Sequence, residues 1–122
     1  MAARRRKGLA ALAIALALMT VTSGSADAVT VGVRGIFNGS RFVWSPTVKA
    51  INRGVIVRWR SVEGSHTVKS RGANWSYFRN IPVGTSVTRT FNRRGTFRYY
   101  CTIHGSVVNG VCSGMCGRIV VS

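Results

Sequence analysis

The chain has 122 residues, with 18 Lys and Arg against two acidic residues and a formal net charge of +16. That length suits one small domain around one core. Glu63 is the only acid beyond the N-terminal segment and there is no nucleophile-elbow motif, which argues against a Ser–His–acid hydrolase. The cations are scattered singly, without a basic helix or a nucleic-acid-binding motif, so no nucleic-acid partner is expected.

Residues 1–28 read as an export signal peptide. Arg4, Arg5, Arg6 and Lys7 form a positive start, an apolar run follows from Leu9 to Val21, and Ala26-Asp27-Ala28 ends in a small-residue cleavage pattern. The run is about 13 residues, short of the roughly 20 that cross a bilayer as a helix. Cleavage after Ala28 would leave a single domain over residues 29–122, outside the cytoplasm, in the cell envelope, periplasm or medium. Those 94 residues carry 14 cations against Glu63, a charge of +13. Such a surface seeks anionic lipids, cell-wall polymers or an acidic protein partner.

The rest of the chain predicts an all-β protein. Candidate strands cover residues 29–33, 47–51, 55–60, 66–70, 85–91, 96–101 and 117–121, and this spacing suggests a Greek-key β-sandwich of seven to eight strands. Asn52-Arg53-Gly54 and Asn92-Arg93-Arg94-Gly95 read as hairpin turns, because Asn and Gly tolerate positive φ. Parity puts Val55, Val57 and Trp59 on one face with Arg58 and Arg60 on the other. It likewise groups Phe97, Tyr99 and Cys101, with Arg98 pointing away. Arg89 shares parity with Val87 and Phe91, which predicts a bulge or an edge position. Residues 71–84 lack a period and read as a long loop laying Trp75, Tyr77 and Phe78 over the sandwich. Trp44, Trp59, Phe97 and Tyr99 are expected to pack the core.

Beyond residue 28 there are two histidines, His66 and His104, one methionine, Met115, and three cysteines, Cys101, Cys112 and Cys116. Cys101-Thr102-Ile103-His104 sets a thiolate and an imidazole three residues apart where the chain leaves a strand. Met115 ends the same connection, and His66 arrives at the start of another strand. Two imidazoles, one thiolate and a weak thioether are the donors of trigonal blue-copper sites, which exchange electrons with little rearrangement. His66, Cys101, His104 and Met115 are therefore the candidate ligands of one copper ion.

The same residues resemble the cupredoxins, the plastocyanin and azurin family, over residues 42–121. Ser45-Pro46-Thr47-Val48 and Gly54-Val55-Ile56-Val57-Arg58-Trp59 look like the family's opening hairpin, and Ser65-His66-Thr67-Val68 like its first ligand. Gly95-Thr96-Phe97-Arg98-Tyr99-Tyr100-Cys101 with His104-Gly105 resembles the ligand strand and loop. Gly114-Met115-Cys116-Gly117-Arg118-Ile119-Val120-Val121 resembles the axial-methionine turn and last strand. The resemblance implies a copper site at one end of the sandwich and a one-electron carrier that meets redox partner proteins; the chain is expected to be a monomer, and its positive charge leads us to expect an acidic docking surface on the partner. The connection from His104 to Met115 is longer than in plastocyanin and carries two further cysteines.

Three alternatives remain open at this point. Copper could be stored or delivered rather than cycled, since the ligands alone do not separate the two. Cys101, His104, Cys112 and Cys116 could hold structural zinc, although that set leaves His66 without a part and needs three reduced thiols outside the cytoplasm. A basic secreted sandwich could adhere to anionic surfaces with no metal at all. If copper takes Cys101, the even remainder predicts a Cys112–Cys116 disulfide; either of these thiols replacing Met115 is the competing arrangement.

Overall fold

Nine strands occupy the described residues, 17 and 27–122, of the computed structural model. They are β1 (Thr30–Phe37), β2 (Phe42–Ser45), β3 (Val48–Ile51), β4 (Val55–Ser61), β5 (His66–Arg71), β6 (Phe78–Ile81), β7 (Ser86–Phe91), β8 (Gly95–Val108) and β9 (Val111–Val121). The basic part of the expected export segment, and its apolar part apart from Ala17, lie outside the described residues. One sheet runs β2-β1-β4-β7 and the other β3-β9-β8-β5-β6. Two neighbour pairs are parallel, β1 with β4 and β3 with β9. The chain changes sheets after β2, β3, β4, β6 and β7, as chains do in Greek-key sandwiches.

The expected parity is realised in the layers. Val57 and Trp59 are fully buried while Arg58 and Arg60 are exposed, and Phe97, Tyr99 and Cys101 point inward with Arg98 outward. Val33, Trp44 and Phe91 from the first sheet meet Val68, Ile119 and Val121 from the second in one apolar cluster. Trp44, Trp59 and Tyr99 form its centre, with edge-to-face contacts at 5.7 Å between Trp44 and Tyr99 and 5.3 Å between Trp59 and Tyr99. Arg89 lies on β7, an edge strand, as one of its two predicted positions required. Its guanidinium sits 5.5 Å from the Trp75 ring centre and 5.4 Å from that of Tyr77, covering apolar surface while its charge stays near water.

Four features differ from the sequence reading. The strand count is nine because β2 and β6 are four-residue edge strands without an alternating pattern: β6 buries only Ile81. Residues 71–84 are thus not one long loop; β5 pairs with β6 directly, from His66↔Ile81 to Lys69↔Phe78. Trp75 and Tyr77 are buried between them, held by Trp75 Nε1 donating to the Arg98 carbonyl (2.9 Å) and the Tyr77 hydroxyl donating to that of Thr88 (3.2 Å), whereas Phe78 is exposed. The Asn52–Gly54 and Asn92–Gly95 turns are not hairpin turns, and the segments resembling an opening hairpin do not pair: β3 and β4 lie in different sheets, as do β7 and β8. Finally, the connection from His104 to Met115 is largely a β-hairpin, paired from Gly105↔Gly114 to Val108↔Val111. Asn109 (φ 49°) and Gly110 (φ 75°) make its turn, as a type I′ turn requires of both central residues.

Tyr99 owes its place to Gly117, its cross-strand partner. A Cβ at residue 117 would lie 2.6 Å from the Tyr99 ring, and that ring is fully buried and cannot yield. Gly117→Ala is expected to destabilise the fold by about 1–3 kcal/mol through overpacking. The check is a lower urea midpoint with an unchanged slope.

Candidate metal centre

The ladder between β8 and β9 slips at one end of the sandwich. Tyr100 pairs with Cys116 and the ladder resumes at Gly105 with Gly114, so residues 101–104 of β8 face a single residue of β9, Met115. The excess forms a bulge of four residues against one, a device that re-aims side chains. It brings the Cys101 thiol and the His104 imidazole together, and Met115, opposite them in the ladder, is fully buried. Two glycines permit the close approach: a Cβ on Gly105 would lie 3.0 Å from both the Cys101 carbonyl oxygen and the Met115 nitrogen, and one on Gly114 would collide with the His104 carbonyl oxygen. Gly114 also has φ 83°, a left-handed conformation that glycine adopts without penalty. A Cys112–Cys116 disulfide brackets this point. Its Cα atoms are 6.3 Å apart, where four steps of extended strand would cover about 13 Å. β9 is therefore sharply bent around Met115.

His66 enters from the start of β5. The Gly35 carbonyl accepts hydrogen bonds from the Val62 and Glu63 N–H groups (3.0 and 3.2 Å), holding the turn that precedes the histidine. Gly35 itself lies under the imidazole, where a Cβ would be 2.5 Å from Cδ2. His66 Nε2 is 2.7 Å from the Glu63 carbonyl oxygen, so that nitrogen donates its proton and Nδ1 carries the lone pair. The resulting geometry is a triangle. His66 Nδ1 lies 3.2 Å from His104 Nδ1, and Cys101 Sγ lies 3.9 Å from the first and 3.7 Å from the second. A point equidistant from the three corners is about 2.1 Å from each, within the roughly 2.0–2.3 Å at which first-row metals meet imidazole nitrogen and thiolate sulfur. The three side chains could hold one such ion, and His66 and Cys101 are closed off from solvent while His104 is half-buried.

Further residues shape the centre, though the sequence reading gave them no part in it. The Thr67 N–H donates to Cys101 Sγ (3.4 Å), and the Thr67 hydroxyl oxygen accepts from the Thr102 N–H (2.8 Å) while meeting the Thr102 hydroxyl at 2.8 Å. These bonds tie the residue after His66 to the residue after Cys101. Phe42 packs against both imidazoles, with centroids 4.2 Å from His104 and 5.3 Å from His66, and Trp44 closes the inner side at 5.6 Å from His66. Only the adjacency of Thr67 to His66 was visible in sequence; Phe42 and Gly35 reach the site through β1–β2 pairing and sheet packing.

Burial, the largest influence, holds the His66 imidazole below its ordinary pKa; the Glu63 carbonyl opposes this and the nearby His104 reinforces it. In the metal-free protein the unfolded chain then takes up a proton near pH 6.5, before the folded chain does. Stability should hold above that pH and fall below it, because the unfolded state binds more protons there. Urea midpoints measured between about pH 8 and pH 5 are expected to show this decline. His66→Gln should flatten it.

No protein-family model and no curated protein sequence matches the chain. Solved structures do. A purple cupredoxin from Nitrosopumilus maritimus superimposes with a TM-score of 0.59 at 18% identity, over 75% of this chain and 99% of that one. Pseudoazurin from Methylobacterium extorquens AM1 gives 0.59 at 18% identity, over 76% and 75% of the two chains. A Cu-containing nitrite reductase from Thermus scotoductus SA-01 gives 0.61 at 20% identity over 77% of this chain, which spans only 22% of the enzyme. At such identities the likeness is one of architecture, and it agrees with the two mixed sheets and the strand exchange between them: the chain has the cupredoxin fold.

Proposed function

We propose that this chain is an exported type 1 copper protein that carries single electrons, with the ion held by His66, Cys101 and His104 and a weaker axial contact from Met115. The observation that carries this reading is the triangle of two Nδ1 atoms and one thiol sulfur, 3.2, 3.7 and 3.9 Å on its sides, enclosed by buried side chains. Bound copper supplies a one-electron couple, and soft sulfur with imidazole suits both of its oxidation states. The chain's own part is to hold the ligands still. The Glu63 carbonyl selects the His66 tautomer, the Thr67 N–H restrains the sulfur, and the Thr67–Thr102 bonds lock the two ligand segments together. A cage that changes little between oxidation states keeps the reorganisation cost of electron transfer low.

The two thiols that a three-cysteine zinc site would need are bonded to each other, which argues against that alternative and against either one replacing Met115. His104 is the ligand nearest solvent, and Phe37, which is 43% exposed, extends its apolar surroundings through contact with Phe42. We infer that electrons enter and leave here, toward a redox partner protein whose surface is acidic. The signal-like segment at 1–28 supports location in the cell envelope or beyond, and a mature charge of +13 supports attraction to anionic partners, membranes or wall polymers.

The purified protein is expected to bind one Cu(II) and to show intense sulfur-to-copper charge transfer in its visible spectrum. Cys101→Ala should be colourless; the same band in that variant would remove Cys101 from the site. Met115→Leu should stay coloured with a higher reduction potential, because losing a thioether donor costs Cu(II) more than Cu(I). Stopped-flow transfer with hexacyanoferrate, an anionic one-electron reagent, should slow as salt shortens the Debye length below its value of about 8 Å at physiological strength.

A further inference from the structure

On the outer face of the five-stranded sheet, three arginines stand in one row. The register pairs Arg71 of β5 with Arg98 of β8, and Arg98 with Arg118 of β9. Residues directly opposite in a ladder share a face with Cβ atoms about 4.5–5.5 Å apart, where like charges repel and destabilise the sheet. Neutralisation from within the chain is scarce, since its only acidic side chains are Asp27, ahead of β1, and Glu63, whose backbone is engaged with Gly35 and His66. None of the strands of this sheet carries an acid. Folding alone gives no reason to align three guanidinium groups.

The row is also built into a recess. Arg71 donates from Nη2 to the carbonyl of Gly110 (2.9 Å), which draws the tip of the β8–β9 hairpin over the sheet. Its Nε is buried without a hydrogen-bond partner. All three arginines line one cavity of about 120 Å³, walled by Thr47, Val48 and Gly117. That is more than a single water needs and room for one small tetrahedral ion. A second cleft flanks Arg71 and Arg98 beneath the hairpin and adds Lys69.

We propose that this recess binds a phosphoryl group. Three guanidinium forks offer paired N–H donors to more acceptors than a carboxylate's two oxygens provide, whereas a phosphate presents three or four oxygens and up to two charges. The recess lies on the opposite face of β8 from Cys101, so it does not depend on the metal reading.

The test is isothermal titration of the purified full chain with inorganic phosphate, in chloride buffers of matched ionic strength. One saturable site is expected. Arg98→Gln should weaken it by about tenfold or more, the loss of one charge-assisted contact. Arg58→Gln, which makes the same charge change on the exposed side of β4 in the other sheet, should leave it unaltered. Co-sedimentation with phosphatidylglycerol and phosphatidylcholine vesicles identifies the source of the group. Retention on phosphatidylglycerol that falls in Arg98→Gln and is displaced by phosphate assigns a lipid headgroup. A saturable phosphate site with vesicle retention indifferent to Arg98 assigns a free ion. Equal weakening by Arg58→Gln and Arg98→Gln, or no saturable signal above chloride, would overturn the proposal.

Discussion

The slip in the β8–β9 ladder is the constraint from which the centre follows. Four residues of one strand against one of the other cannot stay in a flat ladder, so the excess must leave it, and here Thr102 and Ile103 stay exposed while Cys101 and His104 turn toward His66. That single irregularity brings a thiol and an imidazole of one strand to the level of His66 on another. The paired glycines at its hairpin end, Gly105 and Gly114, hold the two backbones closer than any side chain would allow. The disulfide between Cys112 and Cys116 closes the bend from the β9 side. By loop-closure reasoning a ring this small contributes at most about 2 kcal/mol. Its larger effect is local: it confines the backbone on both sides of Met115.

One strand serves two chemistries because its side chains alternate. The inward residues of β8, Phe97, Tyr99 and Cys101, run from the core to the centre, and Arg98 on the other face stands in the cationic row. The two faces need different surroundings. Inward, burial penalises charge: it depresses the His66 pKa and raises that of the Tyr99 phenol, against the smaller opposing influence of Trp59. Outward, water supports guanidinium groups that the chain has too few carboxylates to neutralise. The high net charge is thus carried by the surface, and the core remains apolar.

Much of the centre was legible in sequence because its signals are local. Cys101 and His104 are three residues apart, the parity of residues 96–101 turns the thiol inward, and the few histidines of the chain leave little choice for the remaining nitrogen donor. The Cys112–Cys116 pairing followed from counting the thiols left after Cys101 is assigned to a metal, on the expectation of an oxidising compartment. The hairpin at residues 105–114 was equally available, since Asn109-Gly110 flanked by valines is a strong turn signal. In sequence the stretch reads as one connection because the candidate ligands His104 and Met115 stand at its two ends.

By itself the sequence determined the all-β class, the inward parity of the core strands and the candidate donor side chains, for each of these depends on residue type and on spacing within one segment. Only the tertiary structure decided which sheet each strand joins, that two supposed hairpin turns are crossings between sheets, and that Gly35, Phe42 and Thr67 meet at the centre. It alone aligned Arg71, Arg98 and Arg118. These are matters of register between strands remote in the chain, and register is set by packing of whole faces against one another. A one-residue slip would send every side chain of a strand to the opposite face, so no local pattern can specify which partner stands across the ladder.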